Sequence, residues 1–180
     1  MNCDDGSSVS VYTRFMVVRR YPMPWMSAVL IVISAAVVSV LGFLLANEAA
    51  REWYSGLVKP PLAPPGEVVV YAWPVALIAV VAGALRVAKA TGSFRDASSA
   101  LGLYFTLLAG GMVWNLAFFG LADAGLAFGV MTVVLILAFA LVREFDRYSR
   151  TAALIQLPYL GWLMFAAYLT AATWGVNAEA

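Results

Sequence analysis

The sequence predicts an all-α membrane protein, folded as a five-transmembrane-helix bundle. Three observations carry that prediction. Of the 180 residues, 63% are hydrophobic and only 12% charged, about half the charged fraction of an ordinary soluble domain. The apolar residues gather into five stretches, each close to the ~20 residues a helix needs to cross the hydrocarbon core. None of the stretches shows the strand-length alternation of a membrane barrel, and inside lipid an isolated segment satisfies its own backbone only as a helix.

The elements follow in order. Residues 1–24 hold Asp4, Asp5, Gly6 and a serine pair, then Arg14, Arg19, Arg20, Pro22 and Pro24. They read as a loosely ordered polar tail whose basic stretch faces lipid headgroups. The first span, about 25–47, has an apolar run too long for a secretory leader and no cleavage site before a soluble body, so it is read as a helix. Residues 53–65 then form a connector with prolines at 60, 61, 64 and 65. A proline fixes its own φ, lacks an N–H and pushes its predecessor out of the α region. The whole connector is therefore expected to be a rigid extended loop, either a spacer between helices or a lid over a pocket between them. The remaining spans are expected at about 68–88, 100–122, 124–142 and 152–174. The turn at 120–125 has Asp123 as its sole charge and is so short that the third and fourth helices must be antiparallel neighbours.

Basic residues set the expected orientation. Arg14, Arg19, Arg20, Arg86, Lys89, Arg95, Arg143, Arg147 and Arg150 fall on one side, nine of the 11 basic residues. Only Arg51 and Lys59 fall on the other. The positive-inside rule then places the N-terminus in the cytoplasm, with the connector and the C-terminus on the opposite face.

Composition also excludes function classes. A net charge of +1 offers no field to attract nucleic acid. There is no His, and the one Cys, Cys3, lies in the tail, which removes the common ligands for zinc, copper or iron clusters and any internal disulfide. No obligatory cofactor or metal is expected. Charges such as Glu48, Arg51, Glu52, Arg86 and Arg143 sit at span ends rather than mid-span, which argues against a proton- or ion-coupled pump. Phosphate-loop and dinucleotide glycine patterns are missing, as is any His-based nucleophilic set.

What the spans do hold is aromatic. Tyr71, Tyr104 and Trp174 are explained as interfacial anchors. Trp162 follows Pro158 and Gly161 inside the fifth span, where a freed carbonyl and a small neighbour open space beside it. Trp73 precedes Pro74 directly after the connector. An indole offers a flat apolar face and one N–H donor, suited either to plain packing or to stacking a planar ligand held by one polar edge. Small residues cluster at Gly83-Ala84, Ala109-Gly110-Gly111 and Gly125 with Gly129, permitting close helix approach within the bundle or between two chains. A homodimer face on the third span is the sharper expectation.

Together, Trp53-Tyr54-x-x-Leu57-x-Lys59-Pro60-x-x-x-Pro64-Pro65, Trp73, Leu101-Gly102-Leu103-Tyr104, Trp114, Phe118-Phe119 and Pro158-Tyr159-Leu160-x-Trp162-x-x-Phe165-Ala166 resemble the TspO/translocator protein family, the tryptophan-rich sensory or peripheral benzodiazepine receptor proteins. The resemblance runs in order over about residues 45–177. It implies a homodimer in the lipid bilayer and a pocket within residues 25–177 capped by the first loop. Its implied ligands are porphyrins and related tetrapyrroles, sterols in some members, and synthetic drugs. Carried over by position, Trp73 and Trp162 face the pocket, Ala166 is a small position beside it, and Trp53, Tyr54, Lys59, Pro64 and Pro65 belong to the lid. Trp114, Asn115 and Phe165 complete the candidate binding set.

Three positions depart from the family pattern. Leu62 replaces an aromatic wall of the lid, Gly111 replaces an Asn, and Thr170 replaces another Asn in the fifth span. Residues 170–180 hold no Lys or Arg, so the sterol-recognition stretch of some members is absent. The expected function is a membrane receptor or carrier for a planar hydrophobic ligand, a porphyrin or related tetrapyrrole. Without His, the porphyrin is expected metal-free or peripherally held. Two alternatives remain open. One is light-dependent porphyrin degradation with Trp73 and Trp162 as the catalytic residues, the other facilitated transport or regulatory partnership with other membrane proteins.

Overall fold

The computed structural model describes residues 25–92 and 95–178. The tail expected over 1–24, with Cys3, Arg14, Arg19 and Arg20, lies outside them. Five helical segments are long and apolar enough to cross a membrane, and no strand occurs among the described residues.

Helix α1 spans Trp25–Leu45. Its serines do not interrupt it, because the Ser34 and Ser39 hydroxyls donate to the carbonyls of Ile31 and Ala35 within the helix (both 2.9 Å). Asn47 ends the passage by capping a new helix, its Oδ1 accepting from Ala50 N at 3.0 Å, and Glu48 then complements the helix dipole in the first turn.

That helix, α2 (Glu48–Gly56), corrects the expectation of a wholly extended connector. Trp53 and Tyr54 sit on a helix. The steric veto of proline reaches only its own position and the one before it. Pro60 therefore excludes helix at Lys59 but leaves 53–56 free to continue from the Asn47 cap. Lys59 closes α2 instead, its ammonium donating to the carbonyls of Tyr54 and Leu57. Only residues 57–65 run without helix, turning at Leu62, which has a left-handed φ of 65°.

Helix α3 spans Gly66–Thr91 and is capped by Gly92 at φ 69°, a conformation glycine adopts without cost. Helix α4 (Ser98–Asn115) widens into a π-helical turn at Leu116–Gly120 before Asp123 caps α5 (Ala124–Tyr148) through Leu126 N at 2.8 Å. Helix α5 runs six residues beyond the expected end at 142. Its charged extension carries the i,i+3 pair of Glu144 with Arg147 at 2.8 Å, and Asp146 reaches across the Ser149 break to Arg150 at 3.1 Å. The fifth span is two helices, α6 (Arg150–Ile155) and α7 (Leu157–Asn177). Pro158 has no N–H to give Leu154, so the ladder breaks at Gln156.

Around the bundle the order is α1, α3, α6 with α7, α5, α4, and α4 closes back on α1. Tyr104 clamps that closure by donating to Ile31 O at 2.6 Å. Gln156 is buried and donates to Ala79 O at 3.0 Å, tying the break in the fifth span to α3. Gly83 is what admits it, since a Cβ there would lie 1.9 Å from Gln156 Nε2. Leu101, Leu107, Met131, Val134, Leu141 and Leu163 fill the interior, while Ile33, Ile78, Val133, Ile136 and Met164 stand outward toward lipid. The topology gathers α2, the 57–65 connector, the π turn and the end of α7 at one end of the bundle.

Candidate functional site: an indole-walled cavity beneath α2

A cavity of about 470 Å³ opens at that end, within the range that holds drug-sized ligands. Helix α7 supplies one wall from a single stripe, Trp162, Ala166, Leu169, Thr170 and Thr173, positions three and four apart that share a helical face. Trp73 comes from α3, Trp114 from α4, Phe118 and Phe119 from the π turn, and Tyr54 with Arg51 from α2. A second cavity of about 320 Å³ adjoins it, bounded also by Trp73 but extending between α1 and α4 along Gly42, Leu107, Gly111 and Asn115.

The aromatic rings form one continuous chain. Trp73 meets Trp114 at 5.3 Å and Trp162 edge-on at 5.9 Å. Trp114 stacks on Phe118 at 5.4 Å, and Phe118 receives Trp53 at 5.3 Å and Tyr54 at 6.1 Å from α2. On α7, Trp162 continues to Phe165 at 5.8 Å and Phe165 to Tyr168 at 6.4 Å. Tyr168 then donates its hydroxyl to Pro61 O at 2.9 Å, which closes the chain onto the connector. These separations fall in the range where edge-to-face and offset pairs are favourable, about 0.5–1.5 kcal/mol each beyond buried area.

Polar groups are few. The indole nitrogens of Trp114 and Trp162 are buried with no hydrogen-bond partner. Thr170 uses its hydroxyl on Ala166 O at 2.8 Å, so the substituted position contributes no free donor to the wall. Burial raises the Tyr54 phenol above its usual range, keeping it neutral, and the Lys59 ammonium lies 4.3 Å from the centre of its ring.

Of the residues singled out from the sequence, Tyr54, Trp73, Trp114, Trp162 and Ala166 line the larger cavity together. Trp53 and Phe165 buttress it from behind through Phe118 and Trp162. Asn115 lines the smaller cavity and donates to Gly111 O at 2.9 Å. Lys59 lines neither, being engaged with the C-terminal carbonyls of α2. Leu62 is 77% exposed and also lines neither, so the aromatic it replaces is not missing from a wall here. Phe118, Phe119 and Arg51 line the cavity without having been in the candidate binding set. Phe118 lies four residues after Trp114, a spacing that would have paired them. Arg51 lies three before Tyr54, a relation visible only once α2 is a helix.

Comparison with known proteins gives a consistent result. The family model for the TspO/MBR family matches residues 28–175. A translocator protein from Ovis aries is 32% identical over 155 residues, covering 86% of this chain and 92% of the relative. A tryptophan-rich protein TspO from Archaeoglobus fulgidus is 31% identical over 149 residues, 82% and 94% of the two chains. The human translocator protein is 31% identical over 155 residues, 86% and 92%.

Proposed function

The chain belongs to the TspO/MBR family and is an integral, multi-pass membrane protein, and from that footing we propose that it is a membrane receptor or carrier for a planar apolar ligand, a porphyrin or related tetrapyrrole. The observation that carries the reading is the meeting of three indoles from three different helices, Trp73, Trp114 and Trp162, around a cavity of about 470 Å³. Core packing needs no such convergence of the largest, costliest side chains beside open space. A flat ligand gains stacking on these faces, and the ring chain reaching α2 and the connector gives it a roof. The connector then acts as a lid.

Protoporphyrin titrated into the detergent-solubilised protein should quench tryptophan fluorescence saturably. Trp73→Ala combined with Trp162→Ala should weaken that binding by roughly a hundredfold, about 1.4 kcal/mol for each lost face. An unchanged affinity in the double variant would remove the cavity from the reading. Proteoliposome flux of the same probe, against empty vesicles, separates carrier from receptor.

The continuous indole contacts favour one second reading. An excited porphyrin beside Trp73 or Trp162 has an electron donor within reach, with dioxygen as the eventual oxidant. Illuminated porphyrin should then be consumed faster with the protein than with the double variant Trp73→Phe, Trp162→Phe. We further propose the homodimer, formed through α4, whose outward stripe Gly102, Thr106, Ala109 and Val113 is exposed and mostly small.

A further inference from the structure

The larger cavity has a single charged side chain among the described residues that line it, Arg51 of α2. Its surroundings leave that charge available. Arg51 Nε donates to Ala46 O at 3.2 Å, which fixes the stem at the cavity rim, since Ala46 also lines the cavity. No ion pair joins Arg51 to Glu48, Glu52 or any other described acid. The neighbouring cation, Lys59, is spent on the carbonyls of Tyr54 and Leu57 and on the Tyr54 ring. One cation on this lid is therefore structural and the other is free.

We propose that Arg51 makes the cavity selective for an amphipathic carboxylate, a flat apolar body bearing an anionic group at one edge, held with that group at α2 and the body directed to Trp73 and Trp162. The inference rests on the cavity reading above and sharpens it to a ligand charge. The physical reasons act together. A guanidinium with free Nη groups matches a carboxylate bidentately. A carboxylate driven deeper among Trp114, Phe118 and Trp162 would lose its hydration against walls that offer no counter-charge. At α2, outside the membrane-spanning segments, it keeps water on one side. Arg51 thus sets orientation as well as charge preference.

The test uses protoporphyrin, which carries two carboxylates, and its uncharged dimethyl ester, both titrated by fluorescence quenching in neutral detergent. Arg51→Gln should weaken the diacid by about three- to tenfold, the modest effect expected of an exposed charge-assisted pair, while the ester is unaffected and so reports that the cavity is intact. Arg51→Lys should recover only part of the diacid affinity, since an ammonium restores the charge but neither the bidentate fork nor the bond to Ala46 O, and Lys59→Gln should not distinguish the two probes. Raising salt to about 0.5 M should lower diacid binding to the wild type but not to Arg51→Gln. Equal responses of acid and ester to Arg51→Gln, or salt-independent diacid binding, overturn the proposal. If the double alanine variant at Trp73 and Trp162 weakens both probes while Arg51→Gln treats them alike, only this inference fails. If that double variant weakens neither, the cavity reading fails first.

Discussion

Asn177 is the residue by which the far end of α7 holds the connector. Its Oδ1 accepts from Val58 N at 2.9 Å, and its Nδ2 donates to Val58 O at 3.0 Å and to Thr173 O at 2.8 Å. With Tyr168 on Pro61 it fastens the connector at two points. Each such bond contributes about 0.5–1.5 kcal/mol net, so Asn177→Ala should speed dissociation of bound protoporphyrin on the order of tenfold, measured by stopped-flow chase. An unchanged rate would return the connector to a mere spacer. No sequence signal pointed to Asn177, because its partner is 119 positions away and the pairing is to backbone rather than to a matching side chain. The indoles, by contrast, were legible singly. Trp73 adjoins Pro74 and Trp162 follows Pro158 by about one helical turn, and their large flat faces have few roles in a lipid-facing helix. Gln156 was not legible either, since only the structure reveals that Gly83 leaves the space it occupies.

At the scale of elements, the five spans could be read from apolar run lengths, because lipid forces a helix on any uncharged stretch of that length. Their ends could not. Helix α5 continues to Tyr148 past its first charges because a local ion pair extends a helix beyond the apolar region. The π turn at Leu116–Gly120 interrupts a run whose composition does not change, whereas the break at Gln156 follows from Pro158, which the sequence displays. That π turn bears on the site: it carries Phe118 and Phe119 to the cavity from the end of α4, and such turns recur at functional positions. Helix α2 was hidden by the prolines that follow it. The outward face of α4 makes its own prediction. Ala109→Leu on that stripe should shift the detergent-solubilised particle from dimer to monomer mass, because close backbone approach there depends on small side chains. A dimer of unchanged mass would move the interface elsewhere.

Across the whole molecule, the bundle order brings α3, α4 and α7 together at the end where α2 and the connector lie, and that convergence turns scattered aromatic residues into a cavity. The family resemblance was legible from ordered motifs, and the matching family model spans residues 28–175. The position of Arg51, the confinement of Lys59 to α2 and the outward stance of Leu62 all depended on three-dimensional packing that no motif encodes. In the proposed function a planar ligand enters the space between the indoles rather than partitioning onto the apolar exterior. Ala166 is buried in the α7 wall, 6% exposed, with its side chain on that space. The most direct measurement is therefore protoporphyrin affinity in Ala166→Phe, with helix content followed by circular dichroism as the control for folding. Native helix content with binding weakened by about tenfold or more is expected, because the new ring occupies the ligand's volume; undiminished affinity in a natively folded Ala166→Phe protein would place the ligand outside the cavity.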